Sequence, residues 1–372
     1  MKTRYENVIC RVKPVRLSKG LSQNELAELV GVKRQAIYDI ESGKYAPNTA
    51  LALRLAKQLG CKVEDLFYEE LTDEEQPITV VEKTGRQGSR VEVAKVRGKL
   101  MGYPLAGKTS LMEGFRAADG LLKSDGSSVR LLCSEEVLDN SIMLMGCDPA
   151  FSILSAHVSR YSKEARLQCR FASSHRALRE LVAGNTHLAG THLHNTEESE
   201  ANVQLAEHLL SGAKAMVIAF SGMEEGLLVA PGNPRRIQTV ADLAKENVRL
   251  VNREQGAALR VLLDDYLSRL GIPREAIKGY DHEVMNHQEG AQMVAFGFAD
   301  AALGFRAVAA AWGLDFTPLK AVRFDLIVPY DLLTHQTVKI VLDTLQSRKL
   351  RAELAALPGY ESSQTGSVVA EL

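Results

Sequence analysis

The residues best placed for chemistry lie in four turns, each between a predicted strand and a predicted helix. These turns are residues 146–149, 173–176, 252–256 and 286–288. A helix N-terminus presents unpaired amide donors and the positive end of a dipole, so each turn can hold an oxyanion. The alternative is that each turn only caps its own helix, but four such turns in succession favour a shared pocket.

Cysteine and histidine side chains near these turns raise the question of catalysis or metal binding. Cys147 lies at a helix N-terminus, which favours a thiolate, but no acyl-transfer or phosphoryl-transfer motif accompanies it. We therefore predict no enzyme, no catalytic residues and no cofactor. His187, His192 and His194 lack the further ligands of a metal site, so we predict no metal and place His192 in a pocket wall. Asp148 is expected to cap its helix.

The elements that carry these turns alternate between strands and helices. Apolar runs predict strands at 141–146, 166–171, 215–220, 226–230 and 248–251. Amphipathic segments predict helices at 149–159, 175–183, 257–270 and 286–294. This alternation implies a parallel sheet covered by helices, with ligands bound beyond the carboxyl ends of the strands.

The charge of the chain is unevenly distributed. The 372 residues contain 45 Lys and Arg and 46 Asp and Glu, a net charge of −1. Residues 1–62 carry 12 basic and 5 acidic side chains, a net charge of +7 that leaves −8 for the remainder. We refer to residues 1–62 as the basic head and to the rest of the chain as the acidic body. This charge asymmetry indicates a nucleic-acid-binding module in the basic head.

The residue composition indicates further segment boundaries in the chain. Seven acidic and no basic residues lie between positions 63 and 76, which indicates a solvated segment, and we place an acidic linker at 69–77. Alternating apolar and polar residues with frequent glycines predict short strands over 78–135. The five cysteines are scattered without a CxxC motif, and no segment resembles a signal peptide or a membrane span. We therefore predict reduced thiols, a cytoplasmic location and no membrane partner.

The basic head contains two short helices separated by a tight turn. Ser22 and Glu25 form a capping box that starts the first helix, and Gly31 ends it. A second helix is predicted from 33 to about 42. This is the geometry of a helix-turn-helix, whose second helix enters the major groove of double-stranded DNA. The alternative is a helical bundle whose basic face is only solvated. It does not explain why a capping box, a tight turn and a second helix occur together in one segment.

Two side chains on the second helix can read bases, because Arg34 can pair with guanine and Gln35 bidentately with adenine. Tyr38 is next on the same face. The residues expected to hold phosphates are Gln23, Lys33, Lys44 and Asn48.

Three stretches of the head follow one family in order. They are Gly20-Leu21-Ser22-Gln23, Ile40-Glu41-Ser42-Gly43-Lys44 and Leu55-Ala56-Lys57-Gln58-Leu59-Gly60. Residues 7–67 thereby resemble the lambda-repressor-like (XRE-type) helix-turn-helix family. The resemblance implies a five-helix bundle over 1–68 that binds operator DNA, usually as a homodimer. Pro14 departs from the family pattern, and we expect it to kink or restart the first helix.

A second set of motifs spans the acidic body. It comprises Cys147-Asp148-Pro149-Ala150, residues 188–193, 226–234, 242–243, 251–253, 297–304 and 313–319, and Tyr280. Over residues 141–329 the chain thereby resembles the periplasmic-binding-protein-like domain of the molybdate-binding type, which is found fused to helix-turn-helix modules. The resemblance implies two α/β lobes joined by a hinge that close on a small ligand. A helical segment at 330–357 is expected to pack on the first lobe, with a dimer helix as the alternative.

Two departures from this family pattern change the expected donors. A Gly-Ser-Gly-Thr-Arg-like run is replaced by Gly256-Ala257-Ala258-Leu259-Arg260, and a Gly-Gly-Leu run is replaced by Arg176-Ala177-Leu178. Hydroxyl donors to a tetrahedral dianion are lost. Arg176, Arg253 and His287 could instead favour a different anion or a larger organic one.

The sequence therefore predicts a multidomain chain, an all-α helix-turn-helix bundle followed by a two-lobed α/β periplasmic-binding-protein-like (type II) domain at 136–372. The expected ligand-binding residues are Cys147, Asp148, Ser173, Ser174, Arg176, Thr191, His192, Arg253, Gln255, Gly256, Ala257, Tyr280 and His287. The expected function is a transcriptional regulator that responds to a small anion, with molybdate or tungstate as the leading effector. The alternatives are an enzyme on the two-lobed fold with a DNA-binding head, and a regulator whose sensor domain has lost ligand binding.

Overall fold

The chain folds into two units, residues 1–74 and 75–372. The computed structural model describes residues 8–69, 75–81, 89–106, 115–123, 125–194 and 200–372. The acidic linker is shorter than the predicted range 69–77. The last three residues of that range, Glu75–Pro77, form a strand of the second unit. Residues 70–74 of that linker lie outside the described part of the chain.

The first unit is a small helical bundle, as predicted. Its helices are α1 (Val12–Ser18), α2 (Gln23–Val30), α3 (Arg34–Glu41), α4 (Thr49–Leu59) and α5 (Val63–Leu66). An antiparallel pair of strands, β1 (Val8–Cys10) and β2 (Phe67–Glu69), joins its two ends. Each helix contributes a buried side chain to one core, namely Val12, Leu26, Ile37, Leu55 and Leu66. Burial of this apolar stripe stabilises helices that are too short to be stable alone.

The turn between α2 and α3 follows the sequence prediction closely. The Ser22 hydroxyl accepts the backbone N–H of Glu25, whose carboxylate accepts the backbone N–H of Ser22. Gly31 ends α2 with a φ of 71°, a left-handed conformation that favours glycine. Lys33 is the N-cap of α3, so this helix is one residue shorter at each end than predicted.

Pro14 does not kink α1, contrary to the prediction. The helix begins at Val12, so Pro14 is its third residue. The first four N–H groups of a helix have no acceptor within the helix. A proline in this turn therefore removes no hydrogen bond and is compatible with a regular helix start.

A six-stranded sheet opens the second unit. Its strands are β3 (Glu75–Pro77), β4 (Thr79–Val80), β5 (Arg90–Val96), β6 (Lys99–Pro104), β7 (Gly120–Leu122) and β8 (Ser128–Leu131), in the order β3-β8-β7-β5-β6-β4. A short helix, α6 (Glu135–Asp139), follows. Val96 and Tyr103 of this sheet share a core with Met143 and Met145 of the next one. The β-rich region predicted at 78–135 is thus packed against the α/β fold.

The larger sheet carries two lobes. Its strands are β9 (Ser141–Gly146), β10 (Arg166–Phe171), β11 (Leu188–Thr191), β12 (Ala215–Val229), β13 (Leu250–Arg253), β14 (Glu283–Val284), β15 (Ala301–Phe305), β16 (Asp315–Pro329), β17 (Tyr360–Glu361) and β18 (Val368–Glu371). The order is β10-β9-β11-β16-β12-β15-β13-β14, and β17 and β18 also pair with β12. The first lobe contains β9 to β11, the second contains β13 to β15, and the long strands β12 and β16 run through both.

This sheet is mixed, whereas the alternation of strands and helices predicted a parallel one. β9 is parallel to β10 and β11, and β13 is parallel to β14 and β15, but β12 and β16 are antiparallel to each other. The strands predicted at 215–220 and 226–230 are one strand, β12. Its register shifts between Glu225 and Gly226, where it begins to pair with β15 of the second lobe. Only glycine fits there, because a Cβ at Gly226 would lie 2.1 Å from the Thr317 carbonyl oxygen.

Helices cover the sheet close to the predicted positions. They are α7 (Phe151–Tyr161), α8 (Ser174–Val182), α9 (Ala201–Leu210), α10 (Ala258–Leu270), α11 (His287–Ala295), α12 (Arg306–Ala311), α13 (Gln336–Leu345) and α14 (Arg348–Ala355), with single 3-10 turns at Val240–Ala244, Arg274–Ala276 and Tyr330–Leu332. α7 begins two residues later than predicted, so Pro149 precedes it. α13 and α14 contact α7, which places the C-terminal helices on the first lobe. Among the described helices, none is long and apolar enough to cross a bilayer.

Candidate functional site

Helix α3 presents the residues predicted to read bases. Ile37 and Ile40 belong to the core of the first unit and are 0% and 1% exposed. Arg34, Gln35 and Tyr38 are exposed. The apolar face thus holds the helix in place, while the three polar side chains remain on the surface, where a DNA groove could accept them.

The residues predicted to hold phosphates differ in their contacts within the protein. Lys33 is exposed. The Nζ of Lys44 lies 3.3 Å from a carboxylate oxygen of Asp39 and 4.9 Å from the centre of the Tyr38 ring. Asn48 is the N-cap of α4, and its side-chain oxygen accepts a backbone N–H at 2.9 Å. The Asn48 oxygen is therefore already used to start a helix.

Gln23 belongs to a largely buried ion-pair network. The Nε of Arg16 lies 2.6 Å from Oε1 of Glu41, and the two side chains are 7% and 3% exposed. The Nε2 of Gln23 donates to Oε2 of Glu41 at 2.8 Å. Burial opposes the charge of Glu41, but the bonds from Arg16 and Gln23 outweigh it and lower the pKa of this carboxyl. Gln23 thus links α2 to α3, in addition to any contact with a phosphate.

The second unit contains a cavity of about 510 Å³ where strand ends meet helix starts. The turn between β9 and α7, the end of β10 and the start of α11 all contribute to its lining. Three of the predicted ligand residues, Cys147, Asp148 and His287, line it. Its wall also contains side chains that the sequence did not single out, among them Arg116, Phe151, Ser152, Cys169 and Phe171. Two of the four predicted turns, 146–149 and 286–288, therefore meet at one cavity.

Asp148 is 4% exposed and accepts three hydrogen bonds. Its Oδ1 accepts the backbone N–H of Ala150 at 2.8 Å and the hydroxyl of Tyr360 at 2.6 Å. Its Oδ2 accepts the hydroxyl of Ser221 at 3.1 Å. Burial nevertheless raises the pKa of Asp148, and burial together with the Asp148 carboxylate raises the pKa of Tyr360. Asp148 thus holds the turn ahead of α7 and ties the C-terminal strand β17 to the cavity.

At the cavity, a thiol lies close to an imidazole, which in turn lies close to a carboxylate. The Sγ of Cys147 lies 3.2 Å from Nδ1 of His192, whose Nε2 lies 3.0 Å from Oε1 of Glu225. The Glu225 side chain is 0% exposed, and its second oxygen contacts Nε2 of His194 at 2.5 Å. We refer to Cys147, His192 and Glu225 as the buried array.

Opposite charges on His192 and Glu225 stabilise the buried array. Burial lowers the pKa of His192, but Cys147 and Glu225 outweigh that effect and raise it to about 10. Burial likewise raises the pKa of Glu225, but the bonds from His192 and His194 outweigh it and lower it to about 2. At neutral pH the imidazole is therefore positive and the carboxylate negative.

The opposite side of the cavity belongs to the second lobe. Arg253 is buried, and its guanidinium contacts the ring of His287 at 3.1 Å and the carboxylate of Glu254 at 2.9 Å. It also lies 5.6 Å from the ring centre of Phe171 in the first lobe. Burial and the Arg253 charge hold the pKa of His287 well below its ordinary value. The ring of His287 is therefore neutral and can accept a hydrogen bond as well as donate one.

Several predicted ligand residues are engaged elsewhere. The Ser174 hydroxyl bonds to the backbone N–H and carbonyl of His192 at 3.0 and 3.1 Å. The Tyr280 hydroxyl donates to Asp264 at 2.5 Å, inside the second lobe. The Thr191 Oγ1 is buried and has no partner among the described residues. None of these three lines the cavity.

The remaining predicted residues lie at helix starts. Ser173 is the partly exposed N-cap of α8, and its side chain makes no capping bond. Arg176 lies in the first turn of α8, with its Nε 3.9 Å from a Glu180 oxygen. Gln255 and Gly256 are exposed, and Ala257 is the N-cap of α10. These residues do not line the cavity.

Besides the unpredicted residues of the cavity wall, four residues that contact Asp148 or the buried array were not among the predicted ligand-binding residues, namely Ser221, Glu225, His194 and Tyr360. Glu225 had a usable signal, because it is an acidic residue between two apolar runs that form one strand. Tyr360 had none, because it reaches Asp148 from 212 positions away.

The buried array is not arranged as a metal centre. The two ring nitrogens of His192 face different partners, Cys147 on one side and Glu225 on the other. Within the described parts of the chain, no group of three or more His, Cys, Asp or Glu side chains is placed to hold a metal ion.

Two solved structures are similar to part of this chain. The sulfate-binding protein SubI from Mycobacterium tuberculosis H37Rv is 15% identical, with a TM-score of 0.44 over 59% of this chain and 86% of that one. Peb3 from Campylobacter jejuni is 15% identical, with a TM-score of 0.42 over 59% of this chain and 99% of that one.

Relatives and family models match both units. A model described as the PBP superfamily domain matches residues 155–346, and a helix-turn-helix model matches residues 13–66. Uncharacterized protein YvgK of Bacillus subtilis is 32% identical over 62% of this chain and 74% of its own length. Uncharacterized HTH-type transcriptional regulator YgzD of the same organism is 45% identical over 16% of this chain and 88% of its own length. The chain therefore belongs to the PBP superfamily domain family and carries, ahead of that domain, a helix-turn-helix of the type found in HTH-type transcriptional regulators.

Proposed function

We propose that this chain is a transcriptional regulator whose second unit senses a small anion and whose first unit binds operator DNA. The observation that carries the proposal is that one chain combines a helix-turn-helix, whose α3 exposes Arg34, Gln35 and Tyr38, with a cavity of about 510 Å³ at two helix starts. The first feature fits sequence-specific DNA and the second fits a small effector.

For the DNA partner we propose a two-fold operator bound by a homodimer. The half-sites would then lie about 34 Å apart, one helical turn, so that both α3 helices face the same side of the duplex. The net charge of +7 on residues 1–62 supplies the attraction to phosphates, whereas the remaining −8 opposes it. The salt dependence of DNA binding is therefore expected to come from the first unit.

Coupling requires that the anion bind one arrangement of the lobes better than another. The cavity suits this role because Cys147 belongs to the first lobe and His287 to the second. The strands β12 and β16 pass through both lobes, and the register shift at Glu225 lies where β12 changes partner. A ligand that contacts both walls would favour their approach around this point.

The cavity chemistry bears on the identity of the anion. Arg116 lines the cavity, although its guanidinium also pairs with Glu92 at 2.6 Å. Molybdate and tungstate are the first candidates because of the sequence resemblance. The hydroxyls of Ser174, Tyr280 and Tyr360, however, are bonded within the protein. A larger organic anion, which would fill more of the cavity and need fewer hydroxyl donors, is the second candidate.

A thermal-shift screen with molybdate, tungstate, sulfate and pterin-type compounds tests this proposal. A ligand at a free concentration of 100 times its Kd adds about 2.7 kcal/mol to the free energy of unfolding. The single tryptophan, Trp312, reports on the second unit, and its Nε1 donates to Gln288 of the cavity wall at 2.5 Å. We expect at least one of the anions to raise the unfolding temperature followed by Trp312 fluorescence.

Ser152→Trp is expected to abolish that shift, which is measured for this variant and its control by differential scanning calorimetry because each contains a second tryptophan. Ser152 is exposed on α7 and lines the cavity, so an indole at this position fills the space that the anion needs. Ser159→Trp is the matched control, because Ser159 is exposed on the same helix but does not line the cavity. An undiminished shift in Ser152→Trp would contradict the assignment of this cavity. No shift with any of these anions would favour a sensor domain that has lost ligand binding.

A further inference from the structure

Cys147 lies between the cavity and an imidazole, an arrangement that suits a nucleophile. Cys147 is one of the residues that line the cavity, and 4% of its surface is exposed. The sulfur lies 3.2 Å from Nδ1 of His192, within reach of a proton transfer. A nucleophile needs both features, which are access for the reaction partner and a base for the proton.

The imidazole is fixed in the orientation that this role requires. Its Nε2 faces the fully buried carboxylate of Glu225, which is itself anchored by His194. The ring stacks on Phe324 at 5.3 Å and packs edge-on against Phe305 at 5.7 Å. Nδ1 faces the sulfur at 3.2 Å, while Nε2 lies 3.0 Å from Glu225, so the ring can hold the proton that the thiol gives up beside a negative charge.

We propose that Cys147 is a nucleophilic thiol that reacts with small organic electrophiles entering the cavity, with His192 as the base and Glu225 as the residue that orients it. In the reaction, the sulfur forms a bond to an electrophilic carbon. The leaving group departs with the electron pair of the bond that breaks. In the reactive pair the thiol proton is already on Nδ1 of His192, which is why the imidazole is positive at neutral pH, and the nearby Glu225 carboxylate balances that charge.

The charge state of the array supports this reaction. The pKa of His192, raised to about 10 by Cys147 and Glu225 against the effect of burial, shows that the site favours a proton on the imidazole. The reaction goes beyond reversible sensing of an anion and does not depend on it. An adduct on Cys147 would also occupy part of the cavity, which would couple chemical modification to ligand binding.

The chain contains its own matched control. Cys169 lines the same cavity, but its sulfur lies 3.5 Å from the Phe151 carbonyl oxygen instead of an imidazole. The other three cysteines, Cys10, Cys61 and Cys133, have pKa values that burial raises. At neutral pH these three thiols are protonated and therefore slow to react.

Labelling of the full-length chain with iodoacetamide at neutral pH, followed by mass spectrometry of each cysteine peptide, tests the proposal. A carbon–sulfur bond forms, iodide leaves and the proton is released through His192. We expect Cys147 to be alkylated at least about tenfold faster than Cys169 in the same sample. His192→Asn is expected to slow the labelling of Cys147 by about 100-fold, the usual contribution of a general base, and to leave that of Cys169 unchanged.

Two results would overturn the proposal. One is equal or slower labelling of Cys147 than of Cys169 in the unsubstituted chain, a comparison that needs no variant. The other is unchanged labelling of Cys147 in a folded His192→Asn protein. If that variant does not fold, Glu225→Gln replaces it, and the folded state of either variant is read from Trp312 fluorescence.

Discussion

Replacing both Arg34 and Gln35 with alanine is expected to weaken operator binding by about 2–6 kcal/mol, since one bidentate base contact is worth about 1–3 kcal/mol. This corresponds to at least about a thirtyfold loss of affinity. The fold is expected to be retained, because Ile37 and Ile40 hold α3 in the core while both substituted side chains are exposed. The operator can be found by selection from random duplexes, and affinity can be measured by fluorescence anisotropy at fixed salt.

A matched control separates base reading from charge. Lys57→Ala removes one positive charge from an exposed position on α4, as Arg34→Ala does on α3. Lys57→Ala should change operator affinity little. Lys33→Ala, at a predicted phosphate contact, should weaken specific and non-specific DNA binding alike. It should also reduce the slope of log affinity against log salt concentration by about 1. If the double variant still prefers the operator over random DNA as strongly as the unsubstituted chain does, α3 is not the reading helix.

Glu225→Ala is expected to lower the free energy of unfolding of the second unit by about 3–5 kcal/mol, the usual cost of breaking a buried ion pair. The carboxylate is 0% exposed and contacts His192 and His194 at 3.0 and 2.5 Å. Its removal leaves the His194 imidazole without its partner and the buried His192 without a neighbouring negative charge. Denaturant unfolding followed by Trp312 fluorescence measures the loss in the second unit alone, because Trp312 is the only tryptophan.

The same variant is expected to change how stability depends on pH. The pKa of Glu225 is lowered to about 2, so its contribution is complete above the unfolded value of 4.5 and disappears as pH falls towards 2. The pKa of His192 is raised to about 10, so its contribution is complete below 6.5 and disappears as pH rises towards 10. The stabilisation by Glu225 and His192 should therefore be greatest between pH 4.5 and pH 6.5, the unfolded pKa values of the two groups. Glu225→Ala should flatten the dependence of the unfolding free energy on pH.

Glu246→Ala is the control for this prediction, because Glu246 is exposed. It should leave both the unfolding free energy and its pH profile nearly unchanged. A Glu225→Ala protein as stable as the Glu246→Ala protein would mean that the buried array does not stabilise the second unit.

Local signals explain which parts of the fold were predictable. The capping box at Ser22 and the left-handed Gly31 act within one turn of chain, and both helices around them were placed to within one residue. The strands Ser141–Gly146 and Arg166–Phe171 were predicted with their observed bounds, because the first is a short apolar run and the second alternates polar and apolar residues. In these segments the hydrophobic pattern and the turn residues agree with the tertiary structure.

Pairings between distant segments explain what was missed. Nothing near Ala215 or Asp315 in the sequence shows that β12 and β16 pair antiparallel along their lengths, so the mixed sheet was not anticipated. For the same reason the sequence assigned the hydroxyls of Ser174 and Tyr280 to a ligand, whereas the fold gives them protein partners. The turn at 146–149 was identified, but its partners Glu225 and Tyr360 come from remote strands.

The operator affinity of the full-length chain with and without the anion that raises its unfolding temperature tests the central claim most directly. At fixed salt and saturating anion, the affinity should change by about 5–150-fold, the usual range of allosteric coupling. The change should persist in Ser159→Trp and disappear in Ser152→Trp. An anion that stabilises the second unit but leaves operator affinity unchanged would contradict the account, because the two units would then act independently.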